Sequence, residues 1–196
     1  MTLTLRRATL VRVALVLALA AALFAALTAG HGGLTTADAA TASPIYGKCT
    51  GQEQGVIKSD LATKGKEGQY AISSVRHAIT KPVDTQSGQA SGRQQHEPLQ
   101  FVTNVSSAVP KLINAMTDNE TLTSCTFNFW RTTSGGAQEN YFRVVLTNAS
   151  VVSYHLNGRP GGQDTTTFEL AYQTIEWTYV KGGVTAQDDW GQFTRQ

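Results

Sequence analysis

Residues 166–180 read Thr-Thr-Phe-Glu-Leu-Ala-Tyr-Gln-Thr-Ile-Glu-Trp-Thr-Tyr-Val. Phe168, Leu170 and Tyr172 share one parity, while Ile175, Trp177 and Tyr179 share the other. Successive strand residues point to opposite faces, so each half reads as a half-buried strand, and the change of phase between them predicts a bulge or bend in mid-course. A sheet curls into a barrel through such bends. The same pattern occurs upstream: Tyr70 and Ile72 lie on one face and Val75, His77 and Ile79 on the other, with the flip near Ser73-Ser74.

Around these two segments the chain reads mainly as strand. Gly55 to Ser59 is a short apolar run followed by the turn residues Lys64 to Gly68. Leu99, Phe101, Thr103 and Val105 alternate cleanly. Two further strand regions, Thr121–Arg131 and Asn140–Leu156, are separated by the hairpin signal Thr133-Ser134-Gly135-Gly136. In the first of them Thr121, Thr123, Cys125, Phe127 and Phe129 share a parity. One short helix interrupts the series, with Ser106 or Ser107 as N-cap, Pro110 in its first turn, an apolar stripe of Leu112, Ile113 and Met116, and an end at Thr117-Asp118-Asn119. The fold class is therefore mainly β, a barrel or sandwich with one short α-helix at its side.

Composition agrees. Of 196 residues, 26 are Thr and 18 are Gly, and only 15% are charged, which disfavours a coiled coil and suits Thr-rich strands joined by Gly turns. Hydrophobic residues at 41% can build a core, so the chain is not a disordered acidic or basic one.

The N-terminus stands apart. Arg6, Arg7 and Arg12 precede the uncharged run Val13–Ala29, and Ala37-Asp38-Ala39 and Ala40-Thr41-Ala42 both have the spacing of a cleavage site. This is the pattern of a secretory signal peptide over residues 1–39, with a retained membrane anchor as the alternative. Its removal takes three of the 16 Lys and Arg and one of the 14 Asp and Glu, so the 157 remaining residues carry no net charge. No basic stripe for nucleic acid is left, and a membrane is met only through the signal segment if it is uncleaved. Residues 40–50 then read as an N-terminal arm, 51–190 as the domain and 191–196 as a tail.

In an exported chain the two remaining cysteines, Cys49 and Cys125, read most simply as a disulfide, with two separate thiols as the alternative. The closed loop of 76 positions corresponds to about 4–5 kcal/mol in the chain-entropy model. His77, His96 and His155 are scattered and form no metal-binding pattern, and no nucleophile elbow or phosphate loop occurs. Asp188-Asp189-Trp190 reads as a solvated turn or a packing clasp. Neither a catalytic residue nor a cofactor or metal site is expected. Residues 81–95, Lys-Pro-Val-Asp-Thr-Gln-Ser-Gly-Gln-Ala-Ser-Gly-Arg-Gln-Gln, form a polar connection too long to be a mere link in a compact domain.

Taken in order, several stretches resemble the Hcp family, the tube protein of bacterial type VI secretion systems. Ser91-Gly92-Arg93 with His96, Pro98 and Leu99 is similar to one family segment, and Ser107 with Pro110-Lys111-Leu112 to the start of the family's helix. Phe129-Trp130-Arg131, Glu139, Tyr141-Phe142, Val144, Asn148-Ala149 and Val151 resemble its central hairpin. Glu169, Tyr172, Ile175, Trp177 and Tyr179 resemble its last long strand, and Asp188-Asp189-Trp190 its C-terminal segment. The resemblance runs from about Gly51 to Trp190. It implies a small β-barrel with a helix at its side, six of which close into a ring with a wide pore, and rings that stack into a tube able to carry protein cargo. It also implies that residues 81–95 are the family's extended loop, with Lys81, Asp84, Arg93 and Gln95 as candidate ring or partner contacts, and that there is no catalytic residue. Two functions stay open: an exported structural protein that forms hexameric rings, and a monomeric secreted binding module that uses loop 81–95 to contact a partner.

Overall fold

Six antiparallel strands close on themselves because the two longest remain paired through a shared bend. A computed structural model describes residues 43–190. The strands are β1 (Ile45–Gly51), β2 (Gly55–Ile57), β3 (Tyr70–Arg76), β4 (Ile79–Thr80), β5 (Gln95–His96), β6 (Leu99–Asn104), β7 (Leu122–Thr132), β8 (Gln138–Asn157), β9 (Thr165–Tyr179) and β10 (Val184–Asp189), and the helix α1 is Ala108–Thr117. Neighbours run β9-β6-β3-β1-β7-β8, and β8 pairs back to β9 to complete the barrel. β2 adds to β1, β10 adds to β9, and β4 and β5 form a separate small ladder. The expected signal segment 1–39, residues 40–42 and the tail 191–196 lie outside the described residues. No helix among the described residues is long and apolar enough to cross a membrane.

The phase change in β3 is a bulge: Ile72 pairs with Thr103 and Ser74 with Val102, leaving Ser73 as the extra residue. The phase change in β9 has another origin. Its register against β8 is unbroken from Thr174, opposite Thr147, to Tyr172, opposite Ala149. Between these pairs Asn148 takes a positive φ of 49° and donates from its side-chain amide to Gln173 Oε1 at 2.8 Å. Both strands therefore bend at one step. Inward residues pass from Leu146 to Ala149 on β8 and from Ile175 to Tyr172 on β9. The true bulge in this pair lies on β8, where Val152 is skipped between Val151 and Ser153.

Three other expectations are corrected. Of the expected arm 40–50, residues 45–50 belong instead to β1, a barrel strand flanked by β3 and β7 whose buried positions are Gly47, Cys49 and Gly51. In β7, Thr123 does not share the face of Cys125. A register shift at Thr50/Gly51 places Leu122 inside and Thr123 outside. On α1 the buried stripe is Ala108, Val109, Leu112 and Ala115, and Met116 is exposed. Ser107 holds the N-cap position without capping: its hydroxyl donates to Lys58 O and its N–H to Asp60 Oδ1. The other end has a full cap. Asn119 at φ 53° lets Glu120 N–H reach Ala115 O and its own N–H reach Met116 O, the paired bonds of a Schellman motif.

The core is a ring stack centred on Phe101, whose centroid lies 5.4 Å from Phe127 and 5.6 Å from Phe168. Leu99, Leu112, Leu122, Leu146, Leu170 and Ile175 fill the remainder, all essentially inaccessible. The phenol of Tyr70 is paired inside this core. Tyr70 donates to Ile57 O at 2.9 Å and accepts from Cys49 N, and burial pushes its phenol pKa up. Cys49 and Cys125 face each other across β1 and β7, with Cα atoms 4.1 Å apart, and form a disulfide buried in the wall.

Glu120 ties the end of α1 to the turn after β1. Only 8% exposed, it accepts from Glu53 N–H, Gln54 N–H and the Gln54 side-chain amide. A Cβ at Gly51 would stand 2.2 Å from its Oε1, so a larger residue there would push the carboxylate off its donors.

Two outcomes follow from this packing. Replacing both cysteines with alanine should lower unfolding stability by about 2–5 kcal/mol in denaturant titrations, with barrel circular dichroism retained at low denaturant. For Glu120, burial raises its pKa, but the donors of Gln54 and Glu53 outweigh this and hold it below the ordinary carboxylate value of 4.5. Its contribution is therefore present above that value and lost as pH falls through the depressed folded pKa. Acid titration of stability should show this loss, and Glu120→Gln should flatten that part of the curve.

Candidate functional site: the extended loop and its anchor

The polar stretch 81–95 is a hairpin-like excursion that leaves the barrel between β3 and β6. At its base Ile79 pairs with His96 and Thr80 with Gln95. Further out, Val83 bridges Ala90, Ser91 N–H donates to Pro82 O, and Asp84 N–H donates to Gln89 O. Asp84 makes the tip. Its Oδ1 accepts from Gln86 N–H, Ser87 N–H and the Ser87 hydroxyl, an Asx-type turn, and Gly88 follows at φ 68°. The bonds from Ser87, then that from Gln86 N–H, hold the Asp84 carboxyl below its ordinary pKa. Every residue from Lys81 to Arg93 is exposed, including the apolar Val83. The loop is thus ordered by its own backbone bonds and turn, with almost nothing buried.

Of the four residues singled out from the sequence, Lys81, Asp84 and Gln95 stand on the loop's surface, and Arg93 turns back to the body. Its guanidinium donates to Trp190 O at 2.7 Å. Gln94 donates from its side-chain amide to Asp188 Oδ2 at 2.5 Å, so loop and β10 are clasped together. Asp188-Asp189-Trp190 is a packing clasp at the end of β10, which continues the sheet because Trp190 N–H donates to Gln173 O.

Beneath the clasp lies a cluster that the histidine spacing in the sequence does not reveal. His77 Nε2 is 2.5 Å from the Tyr172 hydroxyl, and His96 Nδ1 is 3.0 Å from the same oxygen. On its far side His96 Nε2 lies 3.2 Å from Asp188 Oδ2, a charge contact out of line for a hydrogen bond. Trp190 stacks on His96 at 5.4 Å between ring centroids and meets Tyr172 edge-on. Burial, chiefly, and then the His96 charge lower the His77 pKa, opposed by Glu97. Burial raises that of Tyr172, reinforced by Asp188. One signal in the sequence could have found this cluster. His77 and His96 flank the loop at its two ends, and pairing those ends brings them together. No group of three or more ligating side chains among the described residues could hold a metal ion, and the Cys49–Cys125 disulfide belongs to the barrel wall rather than to this cluster.

Residues 46–179 match the protein-family model described as type VI secretion system effector, Hcp. The chain is 32% identical over 165 residues to the major exported protein of Pseudomonas aeruginosa, an alignment covering 76% of this chain and 96% of that one. A crystal structure of an Hcp protein superimposes with a TM-score of 0.71 at 30% identity, covering 76% of this chain and all of the other. The secreted protein Hcp3 from Pseudomonas aeruginosa superimposes with a TM-score of 0.65 at 27% identity, over 77% of this chain and all of that one. With the family model matched over residues 46–179 and a relative 32% identical across nearly its whole length, the chain belongs to the Hcp family of type VI secretion system effectors.

Proposed function

We propose that the protein is an exported structural component whose six copies close into a ring around a pore, with rings able to stack and to hold a protein cargo. Export rests on the signal pattern of residues 1–39 and on the relative named a major exported protein. The role is structural, with no catalytic residue and no cofactor.

The observation that carries the ring reading is loop 81–95. A chain segment loses conformational entropy on ordering and recovers it through burial or bonds. Here the turn at Asp84 and the anchor at Arg93 and Gln94 fix a polar surface with an exposed Val83, and almost none of it is covered within the protomer. Lys81, Asp84, Arg93 and Gln95 are the residues through which a neighbour is contacted. A closed ring uses two different patches on each protomer, so the loop meets a surface other than itself.

A second reading is favoured by one feature. The barrel is closed and stapled by a buried disulfide, so a protomer is stable without neighbours and could work as a monomeric secreted module whose loop contacts another protein.

Light scattering on the mature, oxidised protein separates the two. The ring predicts six subunit masses, and a single subunit mass would reject it in favour of the monomeric module. Asp84→Ala, which removes the acceptor of the tip turn, should lower the assembled mass while leaving barrel stability within about 0.5 kcal/mol, as for an exposed position outside the core.

A further inference from the structure

We propose that the His77–Tyr172–His96–Asp188 cluster is an acid-released latch that fastens the base of loop 81–95 to β10. The inference goes beyond the ring and concerns a single protomer, so it stands whether or not six copies assemble.

Two hydrogen-bond chains satisfy the phenol with both imidazoles neutral, and the charge of the Asp188 carboxylate decides between them. Asp188 beside His96 Nε2 selects the tautomer with its proton there. His96 Nδ1 is then an acceptor and takes the Tyr172 O–H. The phenol oxygen in turn accepts from His77 Nε2–H. A proton added to His96 fills Nδ1, so the phenol faces two N–H donors and its own O–H loses its acceptor. A second added proton puts two imidazolium rings on opposite sides of one oxygen. His96 and Tyr172 are both buried, where unpaired polar groups and unbalanced charge are costly.

The surrounding charges do not remove this cost. On the segment after β5, Glu97 favours a charged His77 but ranks below burial and the neighbouring His96. On β10, Asp188 attracts His96 from a partly exposed, off-line position and is already shared with Gln94. Asp189 follows it on the same strand, and Arg93 from the loop and Arg76 at the end of β3 add positive charge to the neighbourhood. Because the folded environment lowers the His77 pKa, the neutral latch contributes above the ordinary imidazole value of 6.5 and loses that contribution as pH falls through the lowered value. Failure of the latch frees Gln94 and Arg93 from Asp188 and Trp190, and with them the loop's hold on β10.

The test is hydrogen–deuterium exchange of the mature, oxidised protein at about pH 7.5 and about pH 5.5, on either side of ordinary histidine titration, with rates corrected for intrinsic pH dependence. Amides at the loop base, including Glu97 N–H bonded to Ala78 O, should exchange about tenfold faster in acid, while core amides around Leu146 and Ile175 keep their protection. Tyr172→Phe, which loses only the hydroxyl, should leave the loop base open at both values and abolish the ratio. Equal protection of the wild-type loop at both values would overturn the latch. So would a Tyr172→Phe protein, its core amides still protected, that retained the acid response.

Discussion

Everything in this barrel depends on the pairing of β8 with β9. It is the longest ladder among the described residues, from Phe142 opposite Tyr179 to Asn157 opposite Thr165, and it is the seam that closes the sheet. Two strands of this length cannot wrap a small core while straight, since their inner faces would diverge from it. Asn148 supplies the bend by taking a backbone conformation that asparagine tolerates better than most side chains. The bend divides β9 into two working halves. Thr165–Leu170 pairs with β6 and completes the barrel, whereas Thr174–Tyr179 leaves β6 and takes up β10. Tyr172 sits between the halves with its ring in the core and its hydroxyl against the two histidines. The same bend that closes the barrel thus builds the floor on which the loop is anchored.

The disulfide adds a condition on where this architecture reaches full stability. Cys49 and Cys125 are buried on neighbouring wall strands far apart in sequence, so their bond restrains the unfolded chain over a long loop. Such a bond forms and persists in an oxidising compartment. The signal pattern read in residues 1–39 accords with such a compartment. Glu120 and the Schellman motif at the end of α1 meanwhile hold the helix to the turn beside Cys49, so covering helix and stapled wall form one unit.

Much of the fold was legible because strand periodicity survives in the sequence wherever one face is buried. Leu99, Phe101 and Thr103 alternate as read, and the flip at Ser73 is the bulge expected there. Periodicity fails where the inward residues of a strand are themselves small. Ile45–Gly51 contains two glycines and a lysine and carries no clean alternation, yet it is held between two barrel strands by ladder bonds that composition does not record. The phase flip in β9 was readable as a bend but not as one shared with β8, because the cause, Asn148, lies on the other strand. Loop 81–95 was visible from its polarity. Its anchor was not, since His77, His96, Tyr172 and Asp188 come from four segments and meet only after the barrel has closed. Only the placing of His77 and His96 at the two ends of the loop hints at these contacts along the chain, and the rest belongs to topology.

We infer that a barrel complete within one protomer presents an ordered, uncovered loop for assembly. Electron-microscopic class averages of the mature, oxidised protein at neutral pH test this most directly. The prediction is rings of six barrels around an open centre, with loop 81–95 at the contacts between protomers or between stacked rings and the Cys49–Cys125 bond intact in each. Isolated particles of one barrel, or rings that appear only after reduction of the disulfide, would contradict it.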